Sequence, residues 1–455
     1  MSDKEPDKES HKEPDKQSRR EPLRQADPQA PAASQTTDIH IAIAGLGTVA
    51  QGVLDIIRDN SDLLAQRAGV RLCVKRIASR SAKDVDLLGA EFTTDLNDLV
   101  SDPGVDIVVE LIGGEGPAHD LIAAALAAGK NVVTANKAVI AAHGNALLAQ
   151  GQAHRLAFEA AVAGAIPIIQ SIQDGLVANR FEHVVGIING TCNYILTAMQ
   201  KDGVAFADAL ATAQQLGFAE ADPTFDIEGI DAGHKLSILL ALAFDQGFDF
   251  AALPVEGITG VSAEDIQYAD ELGYKIKHLG IARRSDKGVE ARVQPTLVPK
   301  SSLLASVDGV LNAVQVRSDQ AGDTLFSGPG AGGAATASAV VADIVRLAQQ
   351  GTVQPAEFSR PAQANLLPLD QVVSAHYLRI PTQDEAGVFA AVTQALSKHQ
   401  ISIDAVIQKE PAGDEASIVM ITQPAVESEM VAAVQEVESL AQVHGQVARI
   451  RVENI

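Results

Sequence analysis

The sequence predicts an α/β protein built from three folded units, and three observations predict it. Short apolar runs alternate with helical segments from Ile39 to Val162, the pattern of a parallel sheet buried on both faces. Residues 374–455 follow the order strand, helix, strand, strand, helix, strand, which is a ferredoxin-like βαββαβ arrangement. The chain has 455 residues, more than one hydrophobic core accommodates, and that length sets a prior of about three domains.

Composition narrows the classes further. Hydrophobic residues make up 46% of the chain, aromatics only 4%, and tryptophan is absent. The core is therefore built from Ala, Val, Leu and Ile. No apolar run reaches the roughly 18–20 residues that span a bilayer. The opening MSDKEPDKESHKEPDK has no apolar stretch of the kind a secretory signal needs. A net charge of −23 argues against nucleic acid and anionic membranes as partners. Cys73 and Cys192 are the only cysteines, which points to a reducing, cytoplasmic setting and not to a disulfide framework.

In chain order, residues 1–37 read as a disordered tail, with KEPDK repeated at Lys4–Lys8 and Lys12–Lys16 and few apolar residues to offset ordering entropy. Residues 38–160 form the first unit. Its expected strands are Ile39–Ala44, Arg71–Ala78, Asp106–Ile112, Val132–Ala135 and Leu156–Val162. One helix is expected from the Gly-rich turn to about Ala68, and another at His119–Ala128. Residues 161–327 form a second, α+β unit, helix-rich from Gly164 to Ala243, with strands near Ala291–Val298 and Val310–Val316. The turn Gly328-Pro329-Gly330-Ala331-Gly332-Gly333 opens an Ala-rich helix to about Gln350, so that residues 328–350 return to the first unit. Residues 351–373, with Gly351, Pro355, Pro361 and Pro368, read as a linker. Residues 374–455 then read as a separate small unit whose removal spares whatever chemistry precedes it.

Gly45-Leu46-Gly47-Thr48-Val49-Ala50 is G-x-G-x-x-A between a strand and a helix. The first glycine makes the tight turn, the second admits a pyrophosphate to the backbone, and Ala50 allows close helix–strand packing. Gly45, Gly47, Thr48 and Val49 are thus cofactor-binding candidates in a Rossmann-type domain. The next strand ends Ile77-Ala78-Ser79-Arg80-Ser81, with no acid before Asp84 to bind a ribose 2′-hydroxyl. Arg80 suits a 2′-phosphate, so NADP is expected over NAD, with NAD kept open. Residues 217–235, GFAEADPTFDIEGIDAGHK, crowd five carboxylates ahead of an apolar run. Asp231 and Lys235 stand at i and i+4 and share one helix face.

Taken with GLGTVAQGV (45–53), the acidic block and the motifs VVELIGG (108–114), TANKAVIA (134–141), EAAVAGAIPII (159–169) and GIINGTCNYIL (186–196), residues 38–455 resemble homoserine dehydrogenase. The likeness is to the longer monofunctional form with a C-terminal ACT domain. The resemblance implies reversible, NAD(P)-dependent interconversion of L-homoserine and L-aspartate 4-semialdehyde. It implies Lys235 as proton donor, Lys137 as a second essential lysine near the cofactor, and Asp231 orienting Lys235. It implies Glu220 at the substrate ammonium with Asp226 in the same polar site, Gly190 and Thr191 at its carboxylate, and Gly332 near the nicotinamide. It implies a monovalent cation such as sodium, held by the Glu159 side chain and the carbonyls of Val162, Gly164 and Ile166.

Cys192 beside the substrate loop reads as a packing residue, with nothing to activate it. The ACT likeness further implies self-association into a dimer or tetramer and an amino-acid effector, threonine. Two residues depart from the usual ACT pattern: Ala386 stands in place of a proline in the Asp384–Val388 loop, and Gln423 in place of a histidine; Gln408 follows in the ISIDAVIQ strand. A different semialdehyde or amino-acid dehydrogenase on the same fold, or a catalytically dead amino-acid sensor, is the competing reading. Retention of both lysines, the acidic block and the glycine turn counts against each.

Overall fold

The computed structural model describes residues 36–148, 155–349, 363–408 and 415–455. The expected tail up to residue 35 and the linker up to residue 362 lie outside the described residues.

The first sheet is parallel. Its strands are β1 (Thr37–Ala44), β2 (Val70–Ala78), β3 (Glu91–Thr93), β4 (Ile107–Glu110), β5 (Asn131–Thr134) and β6 (Leu156–Ala157), in the spatial order β3-β2-β1-β4-β5-β6. This order reverses between β1 and β4, and doubly wound sheets open a ligand crevice at such a point. The register makes the crevice edge level, since Ala44 pairs with Ala78 and with Glu110, and Glu110 pairs with Thr134. The residues that follow these strands therefore emerge side by side.

Two expectations shift here. The first helix is two helices, Thr48–Asp59 and Ser61–Ala68, broken where Asn60 leaves helical geometry at φ −113° and ψ 16°. The strand expected over Leu156–Val162 stops at Ala157, and a tight 3₁₀ turn occupies Glu159–Ala161. A buried carboxylate inside an apolar run explains the stop. Glu159 accepts the backbone N–H groups of Ile169 at 2.8 Å and Gln170 at 2.7 Å, and its own N–H donates to Asp343 at 2.7 Å. The backbone is drawn out of the ladder to meet those partners.

The Ala-rich helix Gly333–Gln349 lies on the helix Thr48–Asp59, as expected for a chain that returns to its first unit. A side chain at Gly52 would begin 3.0 Å from the Ala337 methyl group and from the Gly333 carbonyl, so the two helices meet at backbone distance.

The second sheet contains β7 (Phe181–Ile187), β8 (Tyr274–Ser285), β9 (Gly288–Pro299), β10 (Leu311–Ser318), β11 (Gly322–Pro329), β12 (Val373–Gln383), β13 (Ile403–Gln408), β14 (Glu415–Thr422) and β16 (Ala448–Val452), with the short β15 (Ala425–Val426) at its side. Sequence reasoning misses β7, β8 and β11. In β8, Lys277 and His278 interrupt the apolar pattern, yet both are buried. Lys277 reaches Val307 O at 2.6 Å and Asp308 at 3.0 Å, so its charge is compensated inside the fold.

The C-terminal unit has the expected βαββαβ order, with strands in the order β16-β12-β14-β13 and helices Val388–Lys398 and Glu427–Glu438. It is not separate. β16 pairs in parallel with β9, Arg451 opposite Thr296 and Val452 opposite Leu297, and one sheet runs through both units. Tyr377, Ile421 and Ile450 share a core with Ile276, Leu297 and Tyr268. Buried Asp265 accepts the Tyr377 hydroxyl at 3.0 Å and Arg379 Nε at 2.6 Å. Linker composition reports chain flexibility only, and says nothing of how the flanking units pack.

Candidate active site

At the crevice edge, Gly45 turns the chain at φ +101°, and a Cβ there would lie 2.5 Å from the Leu111 carbonyl oxygen. Only glycine fits. Gly47 precedes the helix Thr48–Asp59 with no side-chain cap on that helix, and a Cβ at Gly47 would meet nothing within 4 Å. The first helical N–H groups are thus left for an anion, and the open space fits a pyrophosphate. Thr48 is exposed and Val49 half-buried on this first turn. Gly332, at φ +116°, immediately precedes Gly333, where a Cβ would lie 2.8 Å from the Thr48 methyl group. Gly332 therefore borders the same turn. Arg80 is exposed, two residues beyond β2.

Glu110 is a site residue that sequence reasoning misses. It is fully buried, takes the N–H groups of Ile112 at 2.8 Å and Gly113 at 3.2 Å, and accepts the Thr134 hydroxyl at 2.6 Å. Asn136 then donates to Gly114 O at 2.6 Å. This network ties the loop after β4 to the loop after β5. It sets the start of the helix Lys137–Leu148 at the crevice edge. An acid ending a strand of valines was the available signal.

Facing that edge is the helix Ile230–Phe244, which opens at Gly229 in the left-handed region, φ +82°. Asp231 is buried on its first turn. One carboxylate oxygen lies 3.0 Å from Lys137 Nζ, and the other accepts Lys235 Nζ at 2.8 Å. Asp231 thereby joins a lysine of the first unit to a lysine of the second. Burial opposes its ionisation, but Lys235 and Lys137 outweigh burial and hold the carboxyl well below the usual carboxylate range. Lys235 Nζ also donates to Ile188 O at 2.8 Å. An ammonium has three N–H donors, so among the described residues one remains uncommitted.

Asn189, also missed from sequence, holds the acids together. Its amide donates to Asp226 at 2.8 Å and to Asp231 at 2.8 Å, while its carbonyl oxygen caps the helix Gly190–Asp202 at Cys192 N. Burial and the neighbouring Asp231 push the Asp226 carboxyl up, and the hydrogen bonds from Asn189 and Thr191 oppose that rise. Gly190 packs tightly, since a Cβ there would lie 2.8 Å from Val310 O. The Thr191 hydroxyl faces Phe218 O at 2.7 Å and Asp226 at 3.1 Å. In this arrangement it is turned to protein and not outward. Lys137 Nζ stands 5.5 Å from the centre of the Phe225 ring, a cation–π distance. Cys192 is buried and burial pushes its thiol up, so it stays a packing residue.

Two expectations fare differently. Glu220 is exposed, and among the described residues its carboxylate has no hydrogen bond or ion pair; only its carbonyl is engaged, by Gln214 at 3.0 Å. The structure does not bring its carboxylate into the hydrogen-bonded cluster of Asp226, Asp231 and Asn189. Around the cation loop, Val162, Gly164 and Ile166 follow Glu159 closely, with Ala163 at φ +56° and Gly164 at φ +55°. A Cβ at Gly164 would lie 2.6 Å from Gly330 C. Glu159 is buried with Asp343, and burial pushes its carboxyl up to about 7. Both of its oxygens accept amides, and the Ile166 carbonyl accepts Ile168 N at 2.8 Å.

Three family profiles match in this order: homoserine dehydrogenase, NAD binding domain, over residues 45–159; homoserine dehydrogenase over residues 167–345; and ACT domain over residues 376–441. The homoserine dehydrogenase of Neisseria gonorrhoeae is 45% identical over 430 residues, covering 92% of this chain and 99% of its own. The chain belongs to the homoserine dehydrogenase family. The Pseudomonas aeruginosa homoserine dehydrogenase is likewise 45% identical over 430 residues. The crystal structure of a homoserine dehydrogenase from Thiobacillus denitrificans superposes with a TM-score of 0.87 at 47% identity, covering 92% of this chain and 99% of that one. A hyperthermophilic archaeal homoserine dehydrogenase in complex with NADPH matches with a TM-score of 0.57 at 26% identity, over 70% of this chain. The protein is thus an NAD(P)-dependent oxidoreductase with homoserine dehydrogenase activity and a C-terminal ACT domain. Among the described residues no helix is long and apolar enough to cross a membrane.

Proposed function

We propose that this homoserine dehydrogenase reduces L-aspartate 4-semialdehyde with NADPH in preference to NADH, using Lys235 as the proton donor. The observation that carries the reading is Lys235 Nζ, held by Asp231 and Ile188 O at 2.8 Å each with one N–H left for a carbonyl oxygen. The reduced nicotinamide, when bound, supplies the hydride to the aldehyde carbon. Lys235 gives a proton to the oxygen on which charge develops. Asp231 fixes the ammonium in place, and Asn189 keeps Asp226 beside it for the substrate ammonium. Glu220 joins when a substrate amine reaches the loop, and Gly190 and Thr191 border the carboxylate end. Lys137 keeps the two units in register and lines the cofactor side with Gly332.

Gly45, Gly47, Thr48 and Val49 receive the pyrophosphate. Exposed Arg80, without an ion pair among the described residues, takes a 2′-phosphate, and the archaeal relative is a complex with NADPH. Among the described residues the buried acids Glu159 and Asp343 have one cationic partner, Arg346, 3.4 Å from Asp343. That charge deficit fits a monovalent cation at the Glu159, Val162, Gly164 and Ile166 loop. Threonine is the proposed effector, a dimer or tetramer the assembly and the cytoplasm the location. The test is homoserine oxidation with NADP and with NAD, with and without threonine, on the wild type and Lys235→Ala. NADPH binding should survive in the variant while kcat falls by about a hundred- to ten-thousand-fold. A variant that keeps half its kcat sinks the assignment of Lys235.

A further inference from the structure

The chain passes from the cofactor unit to the substrate unit near Ala163 and Gly164. It returns through the turn between β11, which ends at Pro329, and the helix that starts at Gly333. The two crossings touch. The Ala165 N–H donates to Pro329 O at 3.1 Å, and a Cβ at Gly164 would lie 2.6 Å from Gly330 O. Ala163, Gly164 and Gly332 lie in the left-handed region, at φ +56°, +55° and +116°. Two connections that run side by side, with glycines in both, are the elements of a hinge between units.

Asn312 of β10 lies against this hinge. The three outer atoms of its amide occupy the space where a Cβ on Gly330 would stand, so the amide rests on bare backbone. Its Oδ1 is also 3.6 Å from the Cβ position of Gly190. Asn312 is 1% exposed, and among the described residues neither Oδ1 nor Nδ2 has a hydrogen-bond partner. A buried amide left in that way is costly. Both atoms are closed to solvent, and so to a dissolved ligand, which means that the missing partners come from the protein. Such partners are at hand. Among the described residues the N–H groups of Gly330, Ala331 and Gly332 are not taken up by another backbone carbonyl. Glycine on either side of Ala331 lets those peptides turn.

We propose that Asn312 is a positioning residue for hydride transfer: with cofactor and substrate both bound, its amide ties the Gly330–Gly332 turn to the loop at Gly190. Oδ1 accepts an N–H of the turn, and Nδ2 donates to one of its carbonyls. Gly332 borders the nicotinamide side and Gly190 the substrate carboxylate, so the tie fixes the spacing between the two reactants. The orphaned amide raises the free energy of the present arrangement, and pairing it lowers that of the complex. A group whose interactions differ between two states shifts the balance toward the one in which it is paired. This role rests on the placement of Gly190 and Gly332 proposed above.

Asn312→Leu keeps the branched shape of the side chain and removes both polar atoms; Asn312→Ala removes them without adding bulk. Without ligands, Asn312→Leu should melt within about 2 °C of the wild type or above it, because an unpaired buried amide is lost. NADPH should bind to both variants within about twofold of the wild-type affinity. With saturating NADP, kcat/KM for homoserine should fall roughly ten- to hundredfold, the worth of two hydrogen bonds made only in the complex. NADPH and homoserine together, a pair that cannot react, should raise the wild-type melting temperature by more than the sum of their separate effects. In the variants the rise should equal the sum. A residue that merely fills space leaves that difference unchanged. A variant with kcat/KM within twofold of the wild type, or melting that falls together with NADPH binding in both variants, overturns the proposal. Unchanged kinetics confined to the Asn312 variants overturns Asn312 alone; unchanged kinetics in Gly190→Ala and Gly332→Ala as well removes the placement on which it rests.

Discussion

Asp231→Asn isolates the charge that joins the two lysines. The amide keeps the shape of the carboxylate and loses its charge. In the wild type, one oxygen faces Lys235 at 2.8 Å and the other Lys137 at 3.0 Å. A hydrogen bond to a charged partner is worth about 1.5–3 kcal/mol. The Lys235 side chain is only 11% exposed and keeps most of that. The Lys137 side chain is 33% exposed, and solvent screening reduces its share to about 1 kcal/mol or less. The sum, about 1.5–4 kcal/mol, corresponds to roughly a ten- to thousandfold loss in kcat/KM if the contacts position Lys235 for the transition state. The assay is homoserine-dependent NADP reduction, with NADPH binding measured separately by fluorescence. Binding should hold, because Gly45, Gly47 and Arg80 lie on the other side of the crevice. Thermal stability should fall near neutral pH. The folded carboxyl is held below its unfolded value, so its stabilisation exists above an unfolded pKa near 4 and vanishes as pH falls through the folded one. Variant and wild type should therefore converge in strong acid. A variant with more than half the wild-type kcat/KM would show that Asp231 serves packing alone.

Arg80→Ala should raise KM for NADP by about tenfold or more and leave KM for NAD nearly unchanged, since one charge-assisted contact to a 2′-phosphate is lost; equal losses with both cofactors would make Arg80 a fold residue. Truncation after Gln371 should give an aggregating, inactive protein, because it strips Tyr377 and Ile450 from the core shared with Ile276 and Leu297 and leaves Asp265 buried without Arg379; a soluble, active truncated enzyme would refute this and restore the separable unit expected from sequence. For Glu159, the folded carboxyl is raised from 4.5 to about 7, so its contribution is full below 4.5 and lost as pH rises through 7, a change of about 3 kcal/mol. Glu159→Gln should flatten that slope in melting curves, and sodium should stabilise the wild type at pH 8 more than tetramethylammonium does; identical salt responses in both proteins would exclude a cation at this loop.

Much of this protein is legible in the residues themselves. G-x-G-x-x-A after an apolar strand dictates the crevice turn, because only glycine tolerates φ +101° with a carbonyl 2.5 Å from its Cβ position. The i, i+4 spacing of Asp231 and Lys235 places them together on any helix, and the structure pairs them. Composition and alternation likewise carry the parallel sheet and the βαββαβ order, since both are local periodicities. Lys137 is another matter. Its partner lies far along the chain, and only the closing of two units across a crevice brings its ammonium to Asp231. Asn189 and Glu110 look ordinary in sequence, because their roles are hydrogen bonds to distant loops. The parallel pairing of β16 with β9 was equally hidden, because a sheet edge recruits its neighbour by surface and register, and a proline-bearing linker carries no record of either.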